Sequence, residues 1–286
     1  MSDPNQPSQK STPENKPLGR VLIAAGSDSG GGAGIQADIK SVMAMGGYAM
    51  TAITAITIQD TTGVHGVVGV PVSAVRDQIR VCLADIGADA IKTGMLGDKA
   101  MTLAVAEMLH SHASGIPAII DPVMVAKGGA SLLQNDAIEA LKSELLPLAF
   151  LLTPNAPEAE RLAKVAVENL DGQRRAAERL LRAGAKAVLI KGAHIGGDVI
   201  TDLLATEKEE LFFESKRIVS TSTHGTGCTL ASAIASLIAQ GKTLPDSVEE
   251  ARAYVLEAIR RAPGLGKGHG PLDHGWPVKQ AREMLR

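Results

Sequence analysis

The sequence predicts an α/β fold built on a mostly parallel sheet. From residue 20 onward, short runs of β-branched and other apolar residues alternate with longer segments of helical period, which is typical of βαβ units. The 286 residues, of which 45% are hydrophobic, are enough for one large α/β domain with a buried core. Aromatic residues make up only 2% of the chain, so we expect a core of Ala, Val, Ile and Leu.

Six short apolar runs are predicted as the strands of this sheet. They lie at residues 21–25, 50–58, 90–93, 118–121, 150–153 and 187–191. Six segments of helical period alternate with them, at residues 33–45, 73–85, 99–110, 136–145, 156–164 and 173–183. The predicted order ends with a hairpin and two helices, at residues 199–205, 210–213, 227–239 and 246–262. The loop at residues 59–70 has room for one extra strand.

Charge and composition exclude several classes of function. The 29 Lys and Arg residues nearly balance 31 Asp and Glu residues, so the chain lacks the basic field that holds a nucleic acid backbone. The two cysteines lie far apart in sequence, which favours a reducing cytoplasm over a disulfide framework. The most apolar stretch, residues 49–58, is too short for a membrane helix. We therefore expect a cytoplasmic protein that binds neither nucleic acid nor membrane.

The N-terminal segment has none of the features of a targeting peptide. Residues 1–18 contain no apolar stretch and no Arg-rich amphipathic pattern. Their polar, Pro-containing composition predicts a disordered tail. No linker or internal repeat interrupts residues 19–286, which we expect to form a single domain.

Polar and glycine-rich segments follow each of the six predicted strands. They are residues 26–34, 59–62, 93–96, 121–129, 153–158 and 191–197. Ligands of open α/β sheets bind outside the carboxyl ends of the strands. The sequence therefore predicts one cleft lined by all six loops.

The segment STHGTGCTLA, residues 222–231, predicts an anion site at the start of a helix. The N–H groups of Gly225, Thr226, Gly227 and Cys228 are expected to be free there, and the helix dipole adds positive potential. The simpler interpretation is an ordinary helix capped by Thr226. We expect the dipole to lower the pKa of Cys228 enough for a base or nucleophile, unless this residue is merely a small buried apolar group.

Two other loops supply candidate groups for binding a substrate. The segment AGSDSGGGAGIQADIK, residues 25–40, fits neither standard phosphate motif and is expected to shape a small pocket with Asp38, unless Asp38 is solvated on its helix. In DPVMVAKGG, residues 121–129, Val123 belongs to an apolar wall. Lys127 lies on a Gly-flanked loop able to close over a phosphate, or it is a solvated surface lysine.

The segment TPNAPE, residues 153–158, predicts the start of a helix. Asn155 at the N-cap and Glu158 three residues later form a capping box, with Pro157 in the first turn. This structural role suffices to explain the motif. The same carboxamide and carboxylate would also suit hydrated Mg²⁺ near a nucleotide, because Mg²⁺ keeps waters and takes one or two carboxylates.

Seven motifs occur together in a characteristic order and spacing. They are AGSDSGGGAGIQADIK, AITIQDTTGV, IKTGML, DPVMVAKGG, LLTPNAPEAERL, VLIKGAH and THGTGCTLASAI. Together they resemble the hydroxymethylpyrimidine and phosphomethylpyrimidine kinases of thiamine biosynthesis, members of the ribokinase-like superfamily. The resemblance implies a three-layer αβα fold, Mg²⁺ and a homodimer. It also implies ATP-dependent phosphorylation of 4-amino-5-hydroxymethyl-2-methylpyrimidine to its monophosphate and then to the diphosphate.

The same resemblance implies roles on the substrate side. Gln59 matches the family's pyrimidine-binding glutamine, and a carboxamide can both donate and accept along an aminopyrimidine edge. Gly26 and Asp38 match the substrate-side motif, and Val123 matches the apolar wall beside the ring. Lys127 is the candidate for holding the phosphate of the monophosphate.

On the nucleotide side, the resemblance implies three groups of residues. Residues 225–227 match the anion hole, Lys191 matches a nucleotide-binding position, and Asn155 and Glu158 match the magnesium-associated N-x-x-E element. Sugar kinases of the superfamily have an Asp as general base where this chain has Cys228, which favours a pyrimidine over a sugar. Cys228 is then the group expected to take the hydroxymethyl proton in the first transfer.

Two other functions fit the sequence. A pyridoxal or pyridoxine kinase of the same superfamily would also act on a hydroxymethyl-bearing heteroaromatic ring, and one residue change can shift such a preference. A non-catalytic sensor would bind the pyrimidine or ATP without turnover. The intact TPNAPE and HGTGC segments argue against the sensor.

Overall fold

The computed structural model describes residues 18–125, 129 and 134–285. The strands are β1 (Arg20–Asp28), β2 (Tyr48–Gln59), β3 (Val64–Gly69), β4 (Ala90–Thr93), β5 (Ala118–Ile120), β6 (Leu151–Leu152), β7 (Ala187–Ile190), β8 (Val199–Thr206) and β9 (Glu210–Lys216). They form one sheet in the order β3-β2-β1-β4-β5-β6-β7-β8-β9.

The middle of the sheet is parallel and its two sides are antiparallel. Strands β2, β1, β4, β5, β6 and β7 pair in parallel, and they correspond one to one to the six predicted strands. Strand β3 pairs antiparallel with β2 and is the extra strand expected at residues 59–70. Strands β8 and β9 form the predicted hairpin beside β7. The carboxyl ends of the parallel strands therefore meet at one edge.

Helices cover both faces of the sheet. They are α1 (Gly34–Ala44), α2 (Val72–Asp85), α3 (Lys99–His112), α4 (Asn135–Ala140), α5 (Ala156–Ala163), α6 (Leu170–Arg182), α7 (Thr226–Ala239), α8 (Leu244–Arg260) and α9 (Trp276–Met284). Buried residues of α1, α7 and α8 pack on one face, and those of α2 to α6 pack on the other. The three-layer αβα expectation is confirmed. Among the helices of the described ranges, none has both the length and the apolar content needed to cross a membrane.

Strand β1 shows how the sequence produces these layers. Val21, Ile23 and Ala25 belong to the core on the α1 face, whereas Leu22 and Ala24 belong to the core on the opposite face. Side chains alternate between the faces of a strand, so a continuous apolar run is required where both faces are covered. The run from residue 21 to residue 25 meets this requirement and places β1 in the interior.

One predicted helix ends earlier than expected, and one helix of the structure was not predicted. The helix expected at 136–145 is regular only to the end of α4, and continues as a π-helical turn (Leu141–Leu145) and a 3-10 turn (Leu146–Leu148). Pro147 lies in the second turn and has no N–H to continue an α-helical ladder. Helix α9 is absent from the prediction; none of its residues is fully buried, and Trp276 packs at the edge of the core on the α1 face.

A buried ion pair connects the hairpin to α8. Arg252 Nε lies 2.7 Å from Asp202 Oδ2, and Arg252 Nη2 donates to the Phe213 carbonyl at 2.9 Å. The other oxygen of Asp202 accepts a hydrogen bond from Gly192 N at 2.7 Å. Asp202 therefore fixes the backbone directly after Lys191, at the carboxyl end of β7.

Replacing Arg252 tests the contribution of this ion pair. Arg252→Leu leaves Asp202 buried without its counter-charge, so we expect the free energy of unfolding to fall by about 3–5 kcal/mol. Arg174→Leu is the matched control, because Arg174 also pairs with a carboxylate and lies over a Phe ring. The Arg174 side chain is 43% exposed, against 10% for Arg252, so Arg174→Leu should lower the free energy of unfolding by much less. Urea denaturation gives both values, and equal losses would contradict the prediction.

Candidate active site

The predicted site residues lie where the parallel strands end. Gln59 is the last residue of β2, Asp121 follows β5, and Lys191 follows β7. The first turn of α7 faces this edge. A Cβ placed on Gly227 would lie 3.2 Å from Lys191 Nζ and 3.7 Å from Asp121 Oδ2. The first turn of α7 and the polar groups at the strand ends therefore share one site.

Only glycine can occupy the N-cap position of helix α7. Gly225 is the N-cap, with a φ of +79°, and a Cβ there would lie 1.8 Å from the Gly32 carbonyl oxygen. The expectation that Thr226 caps the helix is wrong: its Oγ1 donates to the Thr223 carbonyl at 2.8 Å. The N–H groups of Gly227 and Cys228 lie in the first turn, where the helix supplies no acceptor, as an anion site requires.

A fully buried ion pair lies beside this turn. Lys92 Nζ on β4 lies 2.8 Å from Asp38 Oδ1 on α1, and Ser232 Oγ on α7 donates to the same oxygen at 2.7 Å. Asp38 is therefore not solvated on its helix, which removes the simpler alternative. The Asp38 carboxylate raises the pKa of Lys92 although burial opposes the charge. Among the described residues, Asp38 Oδ2 is buried without a hydrogen-bond partner.

Cys228 lies in the first turn of α7, but its thiol is not activated in the way the sequence predicts. Burial raises the pKa of Cys228 to about 12. Lys92 and the Gly34 amide favour the thiolate, yet they do not outweigh burial and the carboxylates of Asp38 and Asp121. The expectation that the helix dipole lowers the pKa of Cys228 is therefore wrong, because desolvation and two nearby negative charges have the larger effect on this pKa.

A second ion pair lies on the nucleotide side of the predicted cleft. Lys191 Nζ is 3.1 Å from Asp121 Oδ1, and Thr153 Oγ1 is 3.2 Å from the same oxygen. Burial raises the pKa of the neighbouring Glu158 to about 7; Lys191 opposes this shift and the charge of Asp121 adds to it. Two carboxylates and one ammonium group thus share a largely buried space.

The capping box at the start of α5 is confirmed. Asn155 Oδ1 accepts from Glu158 N at 2.9 Å, and Glu158 Oε2 accepts from Asn155 N at 2.8 Å. The side-chain oxygen of Asn155 is thus already used by the helix. In the described part of the chain, no three or more His, Cys, Asp or Glu residues are arranged so that they could hold a metal ion by themselves. The pair Asp121 and Glu158 fits hydrated Mg²⁺, which needs only one or two carboxylates when phosphates supply the rest.

The pyrimidine candidate Gln59 belongs to a network with two residues that the sequence interpretation did not assign. Gln59 Nε2 lies 3.2 Å from His224 Nε2, which is also 2.9 Å from Asp28 Oδ2. Asp28 and His224 are buried. Hydrogen bonds from His224 and from the amides of Ala33 and Gly30 lower the pKa of Asp28 although burial opposes ionisation.

The remaining substrate-side candidates have mixed outcomes. Gly26 lies on β1, where a Cβ would approach Met95 Sδ to 3.2 Å. Val123 is half-buried after β5. Lys127 lies outside the described residues, so its role over a phosphate stays a prediction. Val123 N donates to the carbonyl of Asp121 at 2.8 Å, which places Val123 next to the polar groups that follow β5.

Three residues that the sequence interpretation left without a role occupy central positions. Lys92 stands in the four-residue strand AIKT, where a charge inside a fully buried run is a detectable signal. His224 precedes the glycine turn in the motif THGTGC, and the sequence alone indicates no separate role for this residue. His274 Nε2 lies within hydrogen-bond distance of Thr229 Oγ1, at 2.9 Å. Burial lowers the pKa of His274 to about 4. Its position 45 residues beyond Thr229 gives no local signal.

Comparisons with known proteins identify the chain's relatives. The family described as phosphomethylpyrimidine kinase matches residues 28–273. A thiamine biosynthesis bifunctional protein of Geobacter sulfurreducens is 47% identical over 267 residues, which cover 93% of this chain and 54% of that protein. The chain thus spans about half the length of this relative. A hydroxymethylpyrimidine/phosphomethylpyrimidine kinase of Streptomyces coelicolor is 46% identical over 266 residues, covering 93% of this chain and 97% of the relative.

Solved structures show the same architecture. The pyridoxal kinase of Staphylococcus aureus in complex with pyridoxal has a TM-score of 0.83 and 34% identity, covering 90% of this chain and 94% of that chain. The same kinase has also been solved with AMP-PCP and pyridoxal. The phosphomethylpyrimidine kinase of Clostridium difficile has a TM-score of 0.75 and 39% identity, covering 84% of this chain and 99% of that chain.

Replacing Gly225 tests the close contact with Gly32 that positions the first turn of α7. Gly225→Ala drives a Cβ into the Gly32 carbonyl, whereas Gly241→Ala meets nothing within 4 Å at a similar φ of +82°. The control should lose about 1 kcal/mol of unfolding free energy through backbone strain alone. We expect Gly225→Ala to lose roughly 2 kcal/mol more, measured by chemical denaturation. Equal losses would show that the Gly225 contact is not required.

Proposed function

Because the chain belongs to the phosphomethylpyrimidine kinase family, we propose that it phosphorylates 4-amino-5-hydroxymethyl-2-methylpyrimidine and then its monophosphate, with ATP as donor, in thiamine biosynthesis. The observation that supports this most directly is the first turn of α7, where Gly227 lies beside Lys191 and Asp121 and where the helix supplies no acceptor for the N–H groups of Gly227 and Cys228. A γ-phosphoryl group needs positioning and charge neutralisation more than covalent chemistry, and this arrangement supplies both.

On the substrate side, one group suits an aminopyrimidine directly. The Gln59 carboxamide can donate to a ring nitrogen and accept from an amino group. Asp38 is fully buried in its pair with Lys92, so its proposed contribution is to hold α1 and α7 in place behind the pocket. We assign Gly26 to the pocket floor and Val123 to the wall beside the ring.

On the nucleotide side, Lys191 is proposed to bind the phosphates of ATP together with the N–H groups of the α7 turn. Asp121 and Glu158 would hold Mg²⁺, which when bound neutralises phosphate charge. The raised pKa of Glu158 agrees with this assignment, because a carboxyl that is difficult to ionise alone gains most from a nearby cation. A metal-binding role for Asn155 stays a prediction, since its oxygen already caps α5.

Cys228 is proposed to receive the hydroxymethyl proton in the first transfer. Its raised pKa makes the protonated thiol the resting form; Lys92 and the Gly34 amide favour the thiolate that this role requires, whereas burial, Asp38 and Asp121 oppose it. The second transfer needs less assistance, because the attacking group is an already ionised phosphate. Gly225, Thr226 and Gly227 would serve both transfers through their backbone.

Substrate competition tests the proposed function. Purified protein with Mg-ATP is given the pyrimidine, pyridoxal or ribose in separate reactions, and ³¹P NMR follows the monophosphate and diphosphate. We expect both phosphate products from the pyrimidine only. Phosphorylation of pyridoxal alone would support the second candidate, a pyridoxal kinase like the Staphylococcus aureus enzyme of the same fold. No product in any reaction would favour the non-catalytic sensor.

Two substitutions at Cys228 separate the two transfers. Cys228→Ala removes the proton acceptor, so the first phosphorylation should slow by about 10²–10⁴-fold and the second much less. Cys228→Ser replaces the thiol with a hydroxyl, which can still hydrogen-bond but is a weaker acid than the thiol. Single-turnover rates with each acceptor measure the effect. Equal loss of both rates in Cys228→Ala, or full activity in Cys228→Ser, would exclude a base role.

Several wider expectations remain part of this proposal. They are one kinase domain at residues 19–286 preceded by a disordered tail at 1–18, a homodimer, and a cytoplasmic location. The two free cysteines, Cys82 and Cys228, agree with a reducing compartment.

A further inference from the structure

The amide of Gln59 is held by two neighbours whose hydrogen-bonding requirements determine its orientation. The structure has Gln59 Nε2 3.2 Å from His224 Nε2 and Gln59 Oε1 3.1 Å from Thr57 Oγ1, and the hydrogen bonds of these neighbours favour the amide turned by 180°. His224 Nε2 is also 2.9 Å from Asp28 Oδ2, and Thr57 Oγ1 donates to the Ser27 carbonyl at 2.8 Å. Each neighbour therefore has a second partner that limits what it can offer Gln59.

The first limit is the proton on His224. Asp28 accepts hydrogen bonds from the amides of Gly30, Gly32 and Ala33 at 2.8–3.0 Å, as an ionised carboxylate does. A bare imidazole lone pair facing this carboxylate at 2.9 Å would be repelled, so His224 Nε2 must carry a hydrogen. That hydrogen is donated to Asp28 Oδ2, so His224 Nε2 has no lone pair left to accept from an N–H of Gln59, whereas an amide oxygen at the same place would face the N–H edge of the ring.

The second limit is the single hydroxyl proton of Thr57. This proton is donated to the Ser27 carbonyl, so Thr57 Oγ1 can only accept from Gln59. A Gln amide oxygen and nitrogen have nearly the same shape, so their positions follow from the hydrogen bonds that they make. Both limits require the same arrangement, with the oxygen toward His224 and the nitrogen toward Thr57.

We propose that Asp28 and His224 are positioning residues that fix the Gln59 amide with Oε1 on His224 and Nε2 on Thr57, and thereby set selectivity for the 4-amino edge of the substrate. This rests on the proposed function. In the fixed orientation, one free Nε2–H and one free Oε1 lone pair remain on the open edge of the amide. They match a ring nitrogen that accepts beside an amino group that donates.

A 4-oxo analogue presents the reverse pattern, a ring N–H beside a carbonyl oxygen. To bind it, Gln59 would have to turn its amide by 180°. This would place an N–H against His224 Nε2–H and an oxygen opposite a hydroxyl whose proton is already donated. A site that leaves polar groups unpaired rejects the wrong ligand strongly. Without His224, the amide would be free to turn, and the analogue would no longer be excluded.

The closing experiment compares His224→Gln with His224→Met in the full chain. The two replacements are similar in length, but only Gln retains an N–H for Asp28 and Gln59. The readout is the ratio of kcat/KM for the 4-amino substrate to that for the 4-oxo analogue, a ratio that does not depend on the fraction of folded enzyme. We expect the ratio to fall by at least about 10-fold in His224→Met and to stay within about 3-fold of the wild type in His224→Gln. Equal ratios in all three proteins would overturn the inference and leave the proposed function intact.

A second measurement holds even if the pyrimidine is not the substrate. Long-range ¹H–¹⁵N NMR of the imidazoles in the full chain should show a hydrogen on His224 Nε2, assigned by loss of the signal in His224→Gln. A bare Nε2 would overturn the inference. Failure of the wild type to phosphorylate the pyrimidine, with the hydrogen on Nε2, would reject the proposed function while supporting the fixed orientation of Gln59.

Discussion

An ion pair without access to solvent, between Lys92 of β4 and Asp38 of α1, connects the sheet to the helices that form the candidate site. Ser232 of α7 donates to the same carboxylate, so one buried anion joins a strand and two helices. Removing one member of such a pair leaves an uncompensated buried charge, typically a loss of 3–5 kcal/mol. The same pair also sets the electrostatic environment of Cys228, because Lys92 favours its thiolate and Asp38 opposes it.

Two glycine-rich turns meet beside this ion pair. Gly225, at the start of α7, approaches the Gly32 carbonyl so closely that no side chain fits between them. Asp28 accepts hydrogen bonds from the amides of the first turn and contacts His224 of the second. The two turns are therefore fixed relative to each other by backbone contact and by a carboxylate. Fixed N–H groups can stabilise a developing negative charge without reorganising.

Family membership and site geometry support different parts of the functional conclusion. The family and its relatives point to a kinase with a pyrimidine substrate, and the solved pyridoxal kinases share the fold. Within the site, the groups proposed to bind phosphate do not distinguish these two substrates, because they would act on the nucleotide. The discriminating groups lie around Gln59, where the orientation of one amide determines whether a donor or an acceptor is recognised.

Apart from α9, the order of the elements could be predicted from the sequence, since apolar period and turn residues are local. It predicted the six parallel strands, the hairpin, the capping box at Asn155 and the glycine turn before α7. Only the tertiary structure placed Lys92 against Asp38 and His224 between Asp28 and Gln59, because these partners are 54 to 196 residues apart. It also reversed the expected pKa shift of Cys228. A helix start is visible in sequence, whereas desolvation and neighbouring charges arise only when distant segments pack together.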